Sequence, residues 1–200
     1  MPSRNTRDPA YSERLDRLES VWWKRLLDVQ RPYRWSLRRL ELGFVLDLGC
    51  GRGRSLVNLG GRAAGVGVDH NPDSVAACAR RGLLAFTPEG FRASEYARPG
   101  RFDALLFAHV AEHMTWGEAK TLLLAYLPFV RAGGRVVIIC PQEAGFGSDD
   151  THVEFMDFSA LDRLVRAAGL EPISERSFPL PRLLGRLFKY NEFVAVARKP

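Results

Sequence analysis

One stretch constrains this chain more than any other. Val45-Leu46-Asp47-Leu48 is an apolar run of strand length that breaks into Gly49-Cys50-Gly51-Arg52-Gly53-Arg54, and a second apolar run, Ala64 to Val68, ends on Asp69. Glycine carries no Cβ, so three of them at alternate positions let the backbone turn sharply and approach a ligand closely. Strand, glycine turn, helix and strand in that order predict a parallel β-α-β unit. The dinucleotide fingerprint G-x-G-x-x-G needs a glycine at 54, where this chain has arginine, so that reading is set aside.

The alternation continues to the end of the chain. Strands are predicted over 64–69, 83–87, 102–108 and 134–140, with helices after Gly53 and over 72–81, 116–128 and 158–168; residues 170–178 and 191–198 read as the last two strands. Asn71-Pro72 is a helix start, because asparagine caps and proline is tolerated in the first turn. Before the first strand, Leu15, Leu18, Val21, Trp22, Leu26 and Val29 recur at helical spacing, Pro32 stops that helix, and a second short one covers 34–40. The class is α/β with a doubly wound parallel sheet. Two hundred residues fit a single domain, with 1–42 as an N-terminal helical lid and 43–200 as the core.

Asp47 with Gly49, Gly51 and Gly53 resembles motif I of the class I S-adenosylmethionine-dependent methyltransferases, in which an acid stands one residue before G-x-G-x-G. Asp69 matches that family's acid at the end of strand 2, His109 to Met114 resembles the "LEH" segment of its small-molecule, type 11-like branch, and Gly133-Gly134 precedes its fifth strand. The resemblance implies a seven-stranded Rossmann-like sheet, mostly parallel with an antiparallel edge hairpin, and S-adenosylmethionine as cofactor. It also implies residue roles. Asp47 would lie near the methionine amino group, Gly49, Cys50, Gly51 and Gly53 against the nucleoside, and Asp69, flanked by His70, on the ribose. The backbone at Ala108 and His109 would sit beside the methionine part. The family's adenine-holding Asp after strand 3 is missing; Glu89 is the substitute in a shifted register, and Arg34 in Tyr33-Arg34-Trp35 is placed to reach the cofactor carboxylate.

Methyl transfer is an in-line displacement that needs alignment and exclusion of water rather than a covalent intermediate. An alcohol or ammonium acceptor also needs a base, for which His109, His113 and His152 are the candidates, with Glu112 beside them. His109-Val110-Ala111-Glu112-His113 spells the H-x-x-E-H of inverted zinc proteases. It begins where a buried strand ends, so no metal is expected. Cys50, Cys78 and Cys140 lack metal or disulfide spacing and read as reduced thiols of a cytoplasmic protein, Cys140 as a buried strand-end thiol rather than a nucleophile. No apolar run approaches the roughly 20 residues of a membrane span, and the N-terminus lacks a signal peptide's apolar stretch.

The expected acceptor is a small molecule. Net charge is +6, and residues 1–41 hold ten Lys or Arg against six Asp or Glu, which leaves a nucleic-acid partner open without favouring it. The region after strand 4 lacks the [DN]-P-P-[YF] signature of base methylation. A nucleic-acid methyltransferase and a non-catalytic cofactor-binding subunit stand as the alternatives, and oligomeric state is open.

Overall fold

The computed structural model describes residues 30–200, so the helix expected over Leu15–Val29, with Trp22 and Trp23, lies outside the described residues. Seven strands form one sheet in the order β3-β2-β1-β4-β5-β7-β6. They are β1 (Val45–Leu48), β2 (Gly65–Val68), β3 (Ala85–Phe86), β4 (Phe102–Ala108), β5 (Val130–Pro141), β6 (Glu171–Phe178) and β7 (Glu192–Arg198). The first five run parallel, and β7 inserts antiparallel between β5 and β6. This is the doubly wound Rossmann-like sheet with an antiparallel edge hairpin.

Helices α1 (Arg31–Arg38), α2 (Arg54–Leu59), α3 (Pro72–Arg80), α4 (Pro88–Arg92), α5 (Trp116–Tyr126), α6 (Glu143–Phe146) and α7 (Phe158–Ala167) cover it. Pro32 lies in the first turn of α1, where a proline costs no intrahelical hydrogen bond, and the helix it was expected to stop lies outside the described residues. β3 is shorter than the expected 83–87. Thr87 caps α4 by accepting from the Gly90 N–H, and Pro88 fixes the first helical φ, so the chain leaves the sheet at Phe86. β5 is longer than expected and starts at Val130, ahead of the Gly133-Gly134 pair.

Side chains alternate between two cores across the sheet. Leu46, Leu105 and Ile138 point toward α5 and α7 with Leu123, Leu161 and Leu164, while Val45, Leu106 and Val137 point toward Leu37, Leu40 and Leu42 at and after α1. Helix α1 thus runs down one face. Its first turn reaches the carboxyl ends of the strands, where Tyr33 Oη donates to the Tyr190 carbonyl, and just beyond its far end the Leu40 carbonyl accepts from Arg135 at the other edge.

Candidate active site

Open parallel sheets bind ligands beyond the carboxyl ends of their strands. The turn after β1 crosses there with Gly49, Gly51 and Gly53 all in the left-handed region, at φ +76°, +51° and +80°. The Gly49 and Cys50 N–H groups donate to the Val68 carbonyl, and the Gly51 N–H donates to Asp69 Oδ2 at 2.7 Å. Asp69 Oδ1 accepts from the Asn71 N–H at 2.9 Å, so two backbone donors fix the carboxylate and leave further lone pairs. A Cβ at Gly51 would meet nothing within 4 Å, so the turn faces open space.

Asp47 stands beneath this turn with 1% of its surface exposed, and its Oδ2 has no hydrogen-bond partner. Burial, reinforced by Asp69 and opposed by Arg54, pushes its pKa up to about 7. A buried oxygen without a donor is costly unless a ligand supplies one. An ammonium group is the chemistry that fits.

At the end of β4 the chain turns at His109, whose φ of +59° is rare for a side-chain-bearing residue. The turn leaves the ring between two carboxylates, with Nε2 at 2.9 Å from Glu192 Oε1 and Nδ1 at 3.4 Å from Glu112 Oε1. Burial alone would lower the His109 pKa, but the two carboxylates overcome it and raise it to about 9. At neutral pH the ring therefore holds its proton. Cys140 lies behind this group, completely buried, with burial and the Glu112 charge keeping its thiol well above its ordinary value. That environment disfavours the thiolate a nucleophile requires.

The remaining predicted residues are distributed around this crevice. Ala108 closes β4, and the His109 N–H donates to the Ile139 carbonyl. The Cys50 side chain is buried, with its neighbour Cys78 and then burial raising its thiol pKa, so Cys50 offers the crevice its backbone. His70 is exposed, with Nδ1 3.9 Å from Asp69 Oδ1. Glu89 is exposed in the first turn of α4, directly after β3. Arg34 is half-buried on α1. His113 and His152 lie together, ring centroids 4.9 Å apart, next to Glu112.

Sequence reasoning missed Glu192. It is held by a buried polar cluster in which Gln142 Nε2 donates to the Glu192 carbonyl and to Ser177 Oγ, while Asn191 Nδ2 donates to Gln142 Oε1. Its only sequence signal was its position at the start of the last strand.

Residues 45–134 match the methyltransferase domain family. No curated protein matches the chain significantly. Among solved structures, the chain is similar to magnesium protoporphyrin IX methyltransferase from Synechocystis PCC 6803, with 13% identity, TM-score 0.68 and 98% of each chain covered. It is also similar to a SAM-dependent methyltransferase from Archaeoglobus fulgidus, with 19% identity, TM-score 0.63, and 87% of this chain and 99% of that one covered. A third is the 1,6-didemethyltoxoflavin-N1-methyltransferase of Burkholderia thailandensis, with 22% identity, TM-score 0.58, and 100% and 92% covered. The unpartnered Asp47 oxygen and the open glycine turn fit the group this family uses. Residues 45–134 thus carry the match to a methyltransferase domain, and the sheet around them has the fold of S-adenosylmethionine-dependent methyltransferases of known structure.

Proposed function

We propose that the chain transfers the methyl group of S-adenosylmethionine to a small-molecule acceptor bound over the His109 ring, between the first turn of α1 and the 141–152 segment. The bound cofactor supplies an electrophilic methyl group on a sulfonium. Asp47 receives the cofactor's ammonium, Asp69 accepts from the ribose hydroxyls, with His70 at its flank, and the turn from Gly49 to Gly53 lies against the nucleoside. Arg34 reaches the cofactor carboxylate. The unpartnered, buried Asp47 oxygen is the observation that carries this assignment.

His109 contacts the acceptor. Held between Glu112 and Glu192, its ring orients an acceptor oxygen or nitrogen along the line of displacement. His113 and His152 stand one layer further out. A small acceptor is favoured over nucleic acid because acids, Asp47, Asp69, Glu112 and Glu192, gather at this end of the sheet, where a phosphate backbone would be repelled. Beside Glu192 the segment 183–190 exposes Leu183, Leu187, Phe188 and Tyr190, an apolar rim suited to an acceptor with an apolar or aromatic body.

The test couples calorimetric binding of S-adenosylmethionine to a metabolite screen that follows release of S-adenosylhomocysteine. Asp69→Ala should weaken cofactor binding at least tenfold, and turnover should appear with small aromatic or apolar acceptors. Turnover with tRNA or rRNA alone, together with steeply salt-dependent binding, would overturn the small-molecule reading. Unchanged cofactor affinity in Asp69→Ala would overturn the ribose assignment.

A further inference from the structure

We infer that Glu112, His113 and His152 form a binding site for one first-row divalent cation of the zinc type, beside the methyl-transfer crevice. One donor atom from each of the three lies within 4.8 Å of the other two. Two imidazoles and a carboxylate are the donor set that first-row divalent ions favour, and three protein ligands leave a coordination position open.

The Glu112 carboxylate is the first support. Only 1% of the residue is exposed, and neither carboxylate oxygen completes a hydrogen bond; the His109 ring approaches Oε1 at 3.4 Å as an ion-pair neighbour only. A buried carboxylate in that condition has an ion-pair neighbour and no hydrogen-bond donor. The histidines supply the second support, because their outer nitrogens are already engaged. His152 Nδ1 lies 2.7 Å from the Phe146 carbonyl, which can only accept, so that nitrogen carries the proton. His113 Nδ1 lies 3.1 Å from Thr151 Oγ1, and that hydroxyl donates its own proton to Asp149 Oδ1 at 2.8 Å, so His113 Nδ1 is again the donor. With Nδ1 engaged on each ring, Nε2 is the nitrogen left to bind a metal. An outer hydrogen bond that fixes the tautomer and aims the ring is how metal-ligating histidines are held.

The backbone links the two ligand segments. Val153 and Glu154 N–H groups both donate to the Glu112 carbonyl, at 2.7 and 3.3 Å, pinning the loop that carries His152 onto the turn that carries Glu112 and His113. Zinc bonds of ~2.1 Å set tetrahedral donors roughly 3.4 Å apart, so the donors need to close by up to about 1.4 Å. The set differs from the H-x-x-E-H spelling in the sequence. His109 is taken by Glu192, and His152, 39 positions after His113, takes its place. If the functional reading above holds, the open position takes an acceptor oxygen next to His109.

Metal-stripped full-length protein titrated with Co(II) and then Zn(II) tests the site without needing an acceptor. One Co(II) per chain should bind with visible d–d absorption and be displaced by one equivalent of Zn(II). Glu112→Gln, His113→Ala and His152→Ala should each weaken Co(II) binding at least tenfold while binding S-adenosylmethionine as the wild type does, which also shows them folded. For any alanine variant that does not fold, the glutamine variant replaces it. No stoichiometric Co(II) binding by the wild type, or equal binding by a His113→Ala/His152→Ala double variant, would overturn the site. Either result leaves the cofactor reading intact, since cofactor affinity is measured separately.

Discussion

Gly49 and Gly51 stand two residues apart at similar positive φ, yet their surroundings differ. A Cβ on Gly49 would sit 2.2 Å from Val110 Cγ2, whereas one on Gly51 would meet nothing within 4 Å. Gly49→Ala therefore combines overpacking with left-handed strain and should cost about 3 kcal/mol. Gly51→Ala bears only the backbone strain, about 1 kcal/mol, but fills the space proposed for the nucleoside. Thermal melts should show a large loss for the first and a small one for the second, while calorimetry should show Gly51→Ala binding S-adenosylmethionine at least tenfold more weakly. Equal cofactor affinity in Gly51→Ala and wild type would place the nucleoside elsewhere. These glycines and Asp47 were legible because turn and strand chemistry is local in sequence. Glu192 was not, since its partner His109 is 83 residues away and no spacing rule joins them.

At the scale of elements, the sequence was clearest where a helix start is encoded by its cap. Asn71 accepts from the Asp73 N–H, and Thr115 with Glu118 completes a capping box for α5. An error arose where two local rules compete: Thr87-Pro88 reads as the end of a strand until the threonine is recognised as a cap. The polar joint between β5, β6 and β7 was invisible, because Gln142, Ser177 and Asn191 meet only once the antiparallel edge has formed. Asn191 is fully buried; its amide donates to Gln142 and Ser177, and its oxygen accepts from the Leu180 N–H. Asn191→Ala strands several buried groups and should cost about 2–4 kcal/mol by chemical denaturation, against about 1 kcal/mol for the exposed cap in Thr115→Ala. Because Asn191 precedes Glu192, it should also lower turnover more than it lowers cofactor affinity.

For the whole molecule, the net charge of +6 conceals a group of acids, Asp47, Asp69, Glu112 and Glu192, at the carboxyl ends of the strands, where we place the cationic cofactor. The parallel order of the sheet was legible from alternation, and the position of the crevice followed from it; the concentration of acids there required the fold. Its consequence is a linkage between pH, stability and cofactor. In the folded chain Asp47 titrates at about 7 because burial, then Asp69, raise it, against roughly 3.9 unfolded. The folded state thus keeps a proton that the unfolded state loses between about pH 4 and 7, so this group makes the cofactor-free protein less stable as pH rises through that window, by up to about 4 kcal/mol. In the proposed arrangement the cofactor's ammonium favours the ionised form. Affinity should therefore rise with pH, reaching its plateau above 7 and falling roughly tenfold at pH 6. The rise in melting temperature produced by a fixed S-adenosylmethionine concentration should accordingly be larger at pH 8 than at pH 6. Asp47→Asn should remove this pH dependence, raise the melting temperature of the cofactor-free protein at pH 8, and bind cofactor poorly at both pH values. A variant that kept wild-type affinity would show that Asp47 does not hold the ammonium.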